Sequence, residues 1–435
     1  MKKSILSLIS AFLIAFSINA QKVEFEEYDL DNGMHVILHQ DNSAPVVITS
    51  VMYNVGGKDG DRERTGFAHF FEHLLFEGTK NIKKGEWFKI VSSNGGKNNA
   101  NTSQDRTYYY EIFPSNKLEL GLWMESERLL HPIIKKSGVD TQNEVVKEEK
   151  RQRTRPYSEI VNEISKNLFK VHPYKDPNVG YMKHLDAATL DEFLAFNKKY
   201  YVPNNATLVV AGDIDFATTK KMIKDYFGPI PRGAEVIRTF PKEEPITKEF
   251  RAKAYDENIQ IPAIIAAYRT PSFKTRESRV LDMISSYLSR GKSSILYKKM
   301  VDTKKMALAV QAVNISQQDY GVYALFSLPL GKVSLDDLVK EMDEEIVKIQ
   351  SDLISEKAYQ KLQNQFENNY VNSNSSVVGI AGSLATYSSM YGDVNLINNE
   401  IDIYRSITRE EIREVAKKYL NKNQRLILEY LPKKK

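Results

Sequence analysis

The segment His69-Phe70-Phe71-Glu72-His73 is the most informative stretch of the chain. Its two histidines are four positions apart, so on an α-helix both imidazoles lie on one face, one turn apart. Two nitrogens on one face supply half of a tetrahedral zinc site, and Glu72 beside them can take a proton from a water molecule. The pattern therefore predicts a helix, one zinc ion and a catalytic carboxylate.

The residues around this segment predict where the helix begins and ends. Thr65 is expected to cap its first turn and Gly78 to end it. A core helix that carries two histidines by chance is the alternative interpretation. Because an H-x-x-E-H pattern is typical of zinc peptidases with inverted ligand order, we interpret the segment as a metal site. The helix would turn a broad apolar surface to the core, formed by Phe67, Phe70, Phe71, Leu74 and Leu75.

A catalytic zinc site has three protein ligands and one open position, so a third ligand must come from elsewhere in the chain. Glu144, Glu148 and Glu149 lie in a downstream segment of helical character. They could equally form a solvated face that pairs with nearby lysines and arginines, and spacing alone does not choose among them. All 7 histidines lie before residue 185 and the chain has no Cys, which excludes a second site of nitrogen or sulfur ligands in the C-terminal half.

Residues 1–20 have the pattern of a secretory signal peptide. Lys2 and Lys3 precede an apolar stretch, residues 5–18, and Ala20 supplies a small residue before the cleavage point. The stretch is too short to span a membrane stably, although a retained N-terminal anchor is the alternative. We therefore expect export, to the periplasm or the medium, with no stable membrane span once the signal is removed. Without Cys, the exported chain must rest on core packing rather than on disulfides.

The remaining composition points to an ordinary globular protein. The formal net charge is +5 over 435 residues, and no basic stripe with interleaved aromatic residues is present, so a nucleic-acid partner is not implied. The length is sufficient for two domains, each with its own core.

Two segments of the chain match each other at an offset of 219 residues. Thr189-x-x-Glu192 and Thr408-x-x-Glu411 are both capping boxes that open a helix, and each helix runs into an apolar strand. Two unrelated helix–strand units are the alternative, but further matches at the same offset favour duplication. These matches are Phe193 with Ile412, Phe196 with Val415, Lys198-Lys199-Tyr200 with Lys417-Lys418-Tyr419, and Asn204 with Asn423.

The same offset predicts the domain limits. A first domain over residues 21–238 would bind zinc, a linker would occupy the proline-bounded, charged stretch 239–250, and a homologous second domain without a metal site would follow over 251–435. The stretches 46–55 and 106–113 are predicted strands, because they are rich in β-branched residues and Tyr. Strands and long helices mix without a strict βαβ rhythm, which favours the α+β class.

Several motifs in combination resemble the pitrilysin/insulinase family of zinc peptidases, and the chain is most similar to the short two-domain members such as mitochondrial processing peptidase. The similarity is carried by the stretches 65–79, 99–103, 145–149, 200–205 and 212–213, and it covers nearly all of the chain after the signal. It implies two homologous domains, each a mainly antiparallel sheet with helices packed on it, that face each other across a chamber for unfolded peptides.

The resemblance also implies roles for individual residues. Its register selects Glu149 over Glu148 as the third zinc ligand. Asn99 and Ala100 would lie on an edge strand that pairs with the backbone of an extended peptide, where the sequence alone is compatible with an ordinary turn. Phe76 would line the subsite next to the zinc, with plain core packing as the alternative.

The chain departs from the family pattern at three positions. Gln142 replaces a Glu seven residues before the third ligand, so its role behind the metal ligands would lack negative charge. In the second half, the stretch 291–297 matches, but Val301 and Leu308 replace the Arg and Tyr that help to hold substrate. A paralogous subunit that supplies this Arg and Tyr is the expected partner. A homodimer or monomer that uses other residues, such as Tyr297, is the alternative.

These observations predict an exported zinc endopeptidase that hydrolyses short or unfolded peptides by means of a water activated by Glu72. The alternative is a non-catalytic structural or peptide-binding subunit of a peptidase-like complex. A subunit that had lost its catalytic function would be expected to have lost its metal motif as well. Because His69, Glu72, His73 and Glu149 are all present, the sequence favours the enzyme.

Overall fold

The computed structural model describes residues 22–152 and 155–433, so the predicted signal peptide lies outside the described residues. The first half of the chain forms a six-stranded sheet in the order β1-β2-β6-β3-β5-β4. Only β2 and β6 pair in parallel, and the other neighbours are antiparallel. The strands are β1 (Glu26–Asp29), β2 (His35–Gln40), β3 (Val46–Tyr53), β4 (Lys97–Thr102), β5 (Thr107–Pro114) and β6 (Ala206–Gly212).

Helices of the first half pack on one face of this sheet, and two of them carry the predicted metal ligands. The helices are α1 (Phe67–Leu74), α2 (Trp87–Ser93), α3 (Leu118–Leu130), α4 (Lys136–Gln152), α5 (Ile160–Leu168), α6 (Met182–Ala187), α7 (Leu190–Tyr200) and α8 (Phe216–Phe227). Helix α1 lies against α4 and β4. The stretches predicted as strands at 46–55 and 106–113 correspond to β3 and β5 within two residues.

The second half forms a five-stranded sheet in the order β7-β11-β8-β10-β9, again with one parallel pair, β7 and β11. Its strands are β7 (Phe250–Asp256), β8 (Ala263–Pro271), β9 (Ala307–Ile315), β10 (Tyr320–Pro329) and β11 (Arg425–Pro432). Its helices are α9 (Arg276–Ser289), α10 (Leu335–Ser351), α11 (Glu356–Ser373), α12 (Val377–Thr386), α13 (Leu396–Ser406) and α14 (Arg409–Tyr419). The α+β class, with two mainly antiparallel sheets and helices packed on them, is confirmed.

The two halves repeat one topology. From β2 to β4 the order of the first sheet is the order of the second from β7 to β9, with the parallel pair at the same place. Both predicted capping boxes are formed, at Thr189 with Glu192 and at Thr408 with Glu411. Each box opens the helix that leads into the last strand of its half. The offset of 219 that was visible in the sequence therefore relates elements with the same place in the fold.

Each half contributes a helix to the sheet of the other half. Helix α12, from the second half, packs on β2, β3 and β6 of the first sheet. Helix α5, from the first half, packs on β8 and β11 of the second sheet. Apolar side chains fill both contacts, among them Ile380 and Leu384 on α12 and Ile160 and Ile164 on α5. The two sheets are therefore joined by cores to which both halves contribute.

Between α8 and β7 the chain runs without helix or strand, across the predicted linker. This segment is held at defined points. The Glu243 carboxylate accepts hydrogen bonds from the backbone N–H groups of Lys170, Val171 and His172 at 2.7–2.8 Å and pairs with Arg269 at 2.9 Å. Within the described ranges, no helix has the length and apolar character needed to cross a bilayer.

Candidate metal centre and cleft

Helix α1 carries both histidines of the H-x-x-E-H segment, as the four-residue spacing predicted. Its apolar side stacks on α7, where Phe67 and Phe193 have ring centroids 4.5 Å apart. Burial of aromatic rings of this size stabilises the packing by roughly 1.5–3 kcal/mol each. The opposite side presents His69, which is 4% exposed, and His73, which is half-buried. The two imidazole centroids are 5.0 Å apart.

The start of α1 differs from the prediction. The N-cap residue is Gly66 in the left-handed conformation (φ 91°), and no side chain caps the helix. Thr65 was wrongly predicted as the cap, because its hydroxyl contacts His184 Nδ1 at 2.9 Å and accepts the Tyr181 N–H at 3.1 Å. A left-handed φ favours glycine, so the chain enters the helix through Gly66 and leaves Thr65 outside it. The helix ends at Leu74, four residues before Gly78.

Helix α4 brings Glu149 to the two histidines. The Glu149 Oε2 atom lies 3.5 Å from His69 Nε2 and 3.3 Å from His73 Nε2. All three potential ligand atoms lie within 4.8 Å of one another. Glu148 lies on another face of α4, exposed, and pairs with Arg151 at 2.8 Å. The geometry therefore brings Glu149, and not Glu148, to the histidines.

The donor set suits a zinc ion. Two imidazole nitrogens and one carboxylate oxygen converge on one point, and two-histidine, one-glutamate sets leave a fourth position for water in catalytic zinc sites. Glu149 is half-buried and faces a cavity of about 550 Å³ that is also lined by Lys150, Arg155, Glu159, Asn162 and Asn178.

Glu72 lies between the histidines in sequence and next to them in space. Burial raises the pKa of its carboxyl above the ordinary value, and the negative charge of Glu149 raises it further. A hydrogen bond from Thr102 and the nearby charges of His73 and Arg106 act in the opposite direction. A carboxylate with a raised pKa is better matched to accept a proton near neutral pH.

Strand β4 is one of the two edge strands of the first sheet, and it lies next to α1. The Ser103 N–H donates to Arg106 O at 2.9 Å, so these two residues form a hydrogen-bonded pair where β4 meets β5. Paired and unpaired positions alternate along an antiparallel ladder. Asn99 therefore bonds to β5, whereas Ala100 directs its N–H and C=O away from β5, where its N–H donates to Asn99 Oδ1 at 2.9 Å. The predicted segment is thus an edge strand and not a turn.

Phe76 follows α1 and is half-buried in an aromatic group. It stacks on Phe88 with centroids 5.1 Å apart and meets the edge of Trp87 at 5.9 Å. Phe88 is 54% exposed, so the group extends from the core to the surface. The role of Phe76 beside the metal stays a prediction.

Gln142 lies two helical turns before Glu149 on α4. Its Nε2 donates to Glu77 Oε1 at 2.5 Å, and Glu77 pairs with Lys84 at 2.6 Å. The carboxylate next to Gln142 is therefore Glu77, which follows the H-x-x-E-H segment by four residues. The predicted role of Gln142 behind the metal ligands stays a prediction.

Sequence reasoning missed a buried ionic cluster that supports α1. The Arg128 side chain is fully buried between Glu111 and Glu125, with N–O distances of 2.8 and 3.1 Å. It also donates to the backbone oxygen of Leu75 at the end of α1, at 3.3 Å, and lies over the Trp87 ring. The sequence signal that could have revealed the cluster was Glu111, which lies among aromatic and apolar residues in the middle of β5.

The structure also shows where the two residues of the second half that depart from the family pattern lie. Val301 is half-buried against the second core, in a π-helical segment, Tyr297–Thr303. Leu308 lies on β9, the free edge of the second sheet, and is 45% exposed. Neither side chain can donate a hydrogen bond to a substrate.

Comparisons with known proteins agree with this architecture. Residues 35–179 match the family model described as insulinase (peptidase family M16), and residues 187–366 match the one described as peptidase M16 inactive domain. The second match begins at residue 187, ahead of β6, so it includes this last strand of the first half.

Individual relatives extend over nearly the whole chain. The chain is 28% identical to zinc protease PqqE of Helicobacter pylori over 97% of both chains. It is 23% identical to an uncharacterized zinc protease of Mycobacterium leprae, over 90% of this chain and 88% of that protein. The crystal structure of a protease from Helicobacter pylori superimposes with a TM-score of 0.89 at 26% identity, over 94% of this chain and 100% of that one. With two family models that together match most of its length, the chain belongs to the insulinase family of M16 peptidases.

Proposed function

We propose that the chain is a zinc-dependent endopeptidase. The observation that carries the proposal is the convergence of His69, His73 and Glu149 within 4.8 Å, with Glu72 on the same helix as the histidines. The names of the relatives, zinc proteases, support the choice of metal. We propose one ion, held by these three residues.

The residues of the chain have defined tasks in this reaction. A zinc ion held at this centre would polarise a water molecule and lower its pKa to about 7. Glu72 would accept a proton from the attacking water and pass it to the amide nitrogen as the peptide bond breaks, which leaves a new carboxylate and a new amine. Thr102 orients Glu72 through its hydrogen bond.

The substrate is proposed to be a short or unfolded peptide. Ala100 directs its backbone groups away from β5 at the edge of β4, where its N–H bonds only to the side chain of Asn99, and an extended peptide can add there as a further strand. A folded protein cannot offer such a strand without unfolding. Phe76 and Phe88 supply apolar surface next to α1 for a substrate side chain.

The test compares zinc-loaded wild-type protein with Glu72→Gln on quenched peptides and on a stable folded protein. We expect Glu72→Gln to keep its zinc and to lose at least about a hundredfold in kcat/KM, because the proton acceptor is gone. His73→Ala should lose both zinc and activity. Equal activity in wild type and Glu72→Gln would overturn the mechanism, and rapid internal cleavage of the folded protein would overturn the substrate class.

We further propose that a paralogous subunit completes the site. A zinc peptidase needs a donor or cation at the developing oxyanion besides the metal, and loss of such a donor costs on the order of a hundredfold or more in rate. Val301 and Leu308 stand where the family pattern has Arg and Tyr. A second chain could supply both side chains, whereas a homodimer or monomer would have to use other groups, such as Tyr297.

This proposal is tested with the chain alone and mixed with the product of a neighbouring paralogous gene. If peptide hydrolysis appears only on mixing and disappears when the partner's Arg is replaced, the partner completes the site. If the chain alone is as fast as the mixture, the proposal of a partner is wrong.

The N-terminal sequence supports export as part of the proposed function, to the periplasm or the medium. The specific alternative is a subunit that binds peptides without cutting them, favoured by the description of residues 187–366 as an inactive domain. Binding of peptide at an unchanged affinity by wild type and Glu72→Gln, with no hydrolysis by either protein or by the mixture with the partner, would support this alternative.

A further inference from the structure

Arg106 is a half-buried cation in the cleft beside Glu72. It directly precedes β5, where the chain turns back from the edge strand β4. Its guanidinium bonds to Asn101 on β4, the strand that contacts α1, and its charge lowers the pKa of Glu72 on that helix. Burial in turn lowers the pKa of Arg106 itself below the usual value, although it remains a cation.

The guanidinium is only partly satisfied by the protein. Its Nη1 atom donates to Asn101 O at 2.8 Å and to Asn101 Oδ1. Among the described residues, Nε and Nη2 make no hydrogen bond, and no carboxylate lies within ion-pair distance of Arg106. A guanidinium carries five N–H donors in a planar fork that fits a carboxylate.

The two carboxylates nearest to Arg106 already have other partners. Asp105 accepts a hydrogen bond from Tyr174 OH at 2.5 Å and pairs with Lys58 at 3.0 Å. Glu72 accepts a hydrogen bond from Thr102. Because a half-buried charge without an opposite charge is costly, a ligand that brings its own carboxylate would be stabilised here.

A second group of cations lies near Glu149, the proposed third metal ligand. Lys150 and Arg155 line the cavity of about 550 Å³ that Glu149 faces. Neither makes an ion pair with a described residue. The carboxylates of this cavity are Glu149, the proposed metal ligand, and Glu159, which accepts a hydrogen bond from Asn162 at 2.7 Å. Arg106, Lys150 and Arg155 are therefore cations without carboxylate partners among the described residues, and two of them line the cavity that Glu149 faces.

We propose that Arg106 binds a carboxylate of the peptide substrate near the bond that is cleaved, so that the protein selects acidic peptides. This inference rests on the proposed function for the position of the cleaved bond. Arg106 would thereby determine specificity, and acidic peptides would be the substrate class. The carboxylate could come from an internal Asp or Glu side chain or from the C-terminus of a short peptide, and the guanidinium fork fits either one.

The experiment uses peptides that differ only in charge. One carries an internal Glu and a C-terminal amide, the second carries Gln and the amide, and the third carries Gln and a free C-terminal carboxylate. The Glu is moved in turn through the three positions before and after the cleaved bond. Binding is measured by fluorescence anisotropy with metal-depleted protein, and hydrolysis is measured as kcat/KM with zinc-loaded protein, both with the partner present if hydrolysis requires it.

Wild type should favour an acidic peptide over its Gln-amide counterpart by about tenfold to a hundredfold, as expected for hydrogen bonds between charged groups. A preference for the first peptide would show that Arg106 binds the carboxylate of an internal side chain. A preference for the third peptide would show that it binds the C-terminal carboxylate. Arg106→Gln should reduce the preference nearly to one, and Arg106→Glu should favour a Lys peptide instead. The matched control Arg413→Gln, at a half-buried arginine on α14 that pairs with Glu414, should keep the wild-type preference.

No preference in wild type, or a preference that survives in Arg106→Gln, would overturn the inference. The first measurement needs no variant, so it holds even if Arg106→Gln fails to fold. Selective binding of acidic peptides without hydrolysis would leave the inference standing and overturn the proposed function. Hydrolysis without any charge preference would overturn the inference and leave the proposed function standing.

Discussion

Glu148 and Glu149 are neighbours in sequence, and they lie on different faces of one helix. Glu149 is within 3.5 Å of both candidate histidine ligands, whereas Glu148 is exposed and paired with Arg151. Adjacent residues on an α-helix are separated by about 100° around its axis, so only one of them can face α1. The difference between these two residues is therefore open to a direct test by matched substitutions.

Glu149→Gln is expected to weaken zinc binding by at least about a hundredfold, because removal even of groups behind metal ligands costs up to that much. Glu148→Gln is the matched control and should bind zinc as wild type does. Competition with a chromophoric chelator measures both affinities. Wild-type zinc affinity in Glu149→Gln would contradict the proposed ligand set.

At the scale of elements, strand β4 would join the proposed metal centre to a peptide substrate. It is an edge of the sheet, it contacts α1, and its last residue, Thr102, lowers the pKa of Glu72. A peptide that pairs with this edge would therefore be aligned with the catalytic carboxylate by backbone hydrogen bonds alone. Such recognition depends on an extended conformation rather than on sequence.

Ala100→Pro tests this role, because proline removes the N–H that faces away from β5 and leaves the bonds to β5 in place. We expect hydrolysis of peptides to fall by at least about tenfold, while zinc affinity is unchanged. Ala100→Ser is the control and should retain activity, since it keeps the N–H. An Ala100→Pro protein with wild-type kcat/KM would show that the edge does not bind substrate.

The buried cluster beneath α1 gives a second prediction for elements. Burial, together with the charge and hydrogen bond of Glu125, raises the pKa of Glu111 well above its ordinary value, although Arg128 and Trp87 oppose the shift. The folded protein therefore keeps a proton on Glu111 that the unfolded chain loses above the usual pKa of about 4.3. The stabilisation is complete below that pH and is lost as the pH rises through the raised folded-state pKa.

The side chain in Glu111→Gln resembles the protonated form of Glu111 at every pH. The melting temperature of the variant minus that of wild type should therefore increase as the pH increases from 5 to 9. Circular dichroism melts across this range measure the difference. In the control Glu192→Gln the difference should stay constant between pH 6 and 9. The pKa of Glu192 is lowered by the backbone hydrogen bond of Thr189, so the contribution of that carboxylate is lost only in acid. Parallel curves for wild type and Glu111→Gln would contradict the assignment.

At the scale of the molecule, the exchange of α5 and α12 makes each half depend on the other. Without α12 the first sheet would expose Ile37, Ile48 and Val209, which are fully buried in the intact chain. Exposed apolar patches of this kind promote aggregation. The proposed limits of 21–238 and 251–435 therefore define repeats of topology rather than independent folding units.

A protein cut within the predicted linker 239–250 tests this dependence. We expect residues 22–238 alone to be insoluble or unfolded, and both pieces produced together to associate and to bind zinc as the intact chain does. Sedimentation and zinc titration provide the measurements. A soluble first half with full zinc affinity would show that the two cores are independent.

The sequence by itself determined the local features of this protein. The spacing of His69 and His73 is enough to place both on one face of a helix, because the helical repeat is a property of the backbone. The two capping boxes, the strands rich in β-branched residues and the repeat of topology are also local patterns, and all of them are found in the structure. The cap at Thr65 was predicted wrongly, because its hydroxyl has partners near residues 181 and 184 that no local pattern reveals.

Only the tertiary structure decided which distant groups meet. Spacing left three candidate carboxylates open and the family resemblance selected Glu149, but it is the packing of α4 on α1 that brings this side chain to the histidines. The same holds for Arg128 beneath α1, Arg106 beside Glu72 and the exchange of α5 and α12. Such contacts join residues far apart in the chain, and they depend on how complete elements pack, which no local propensity encodes.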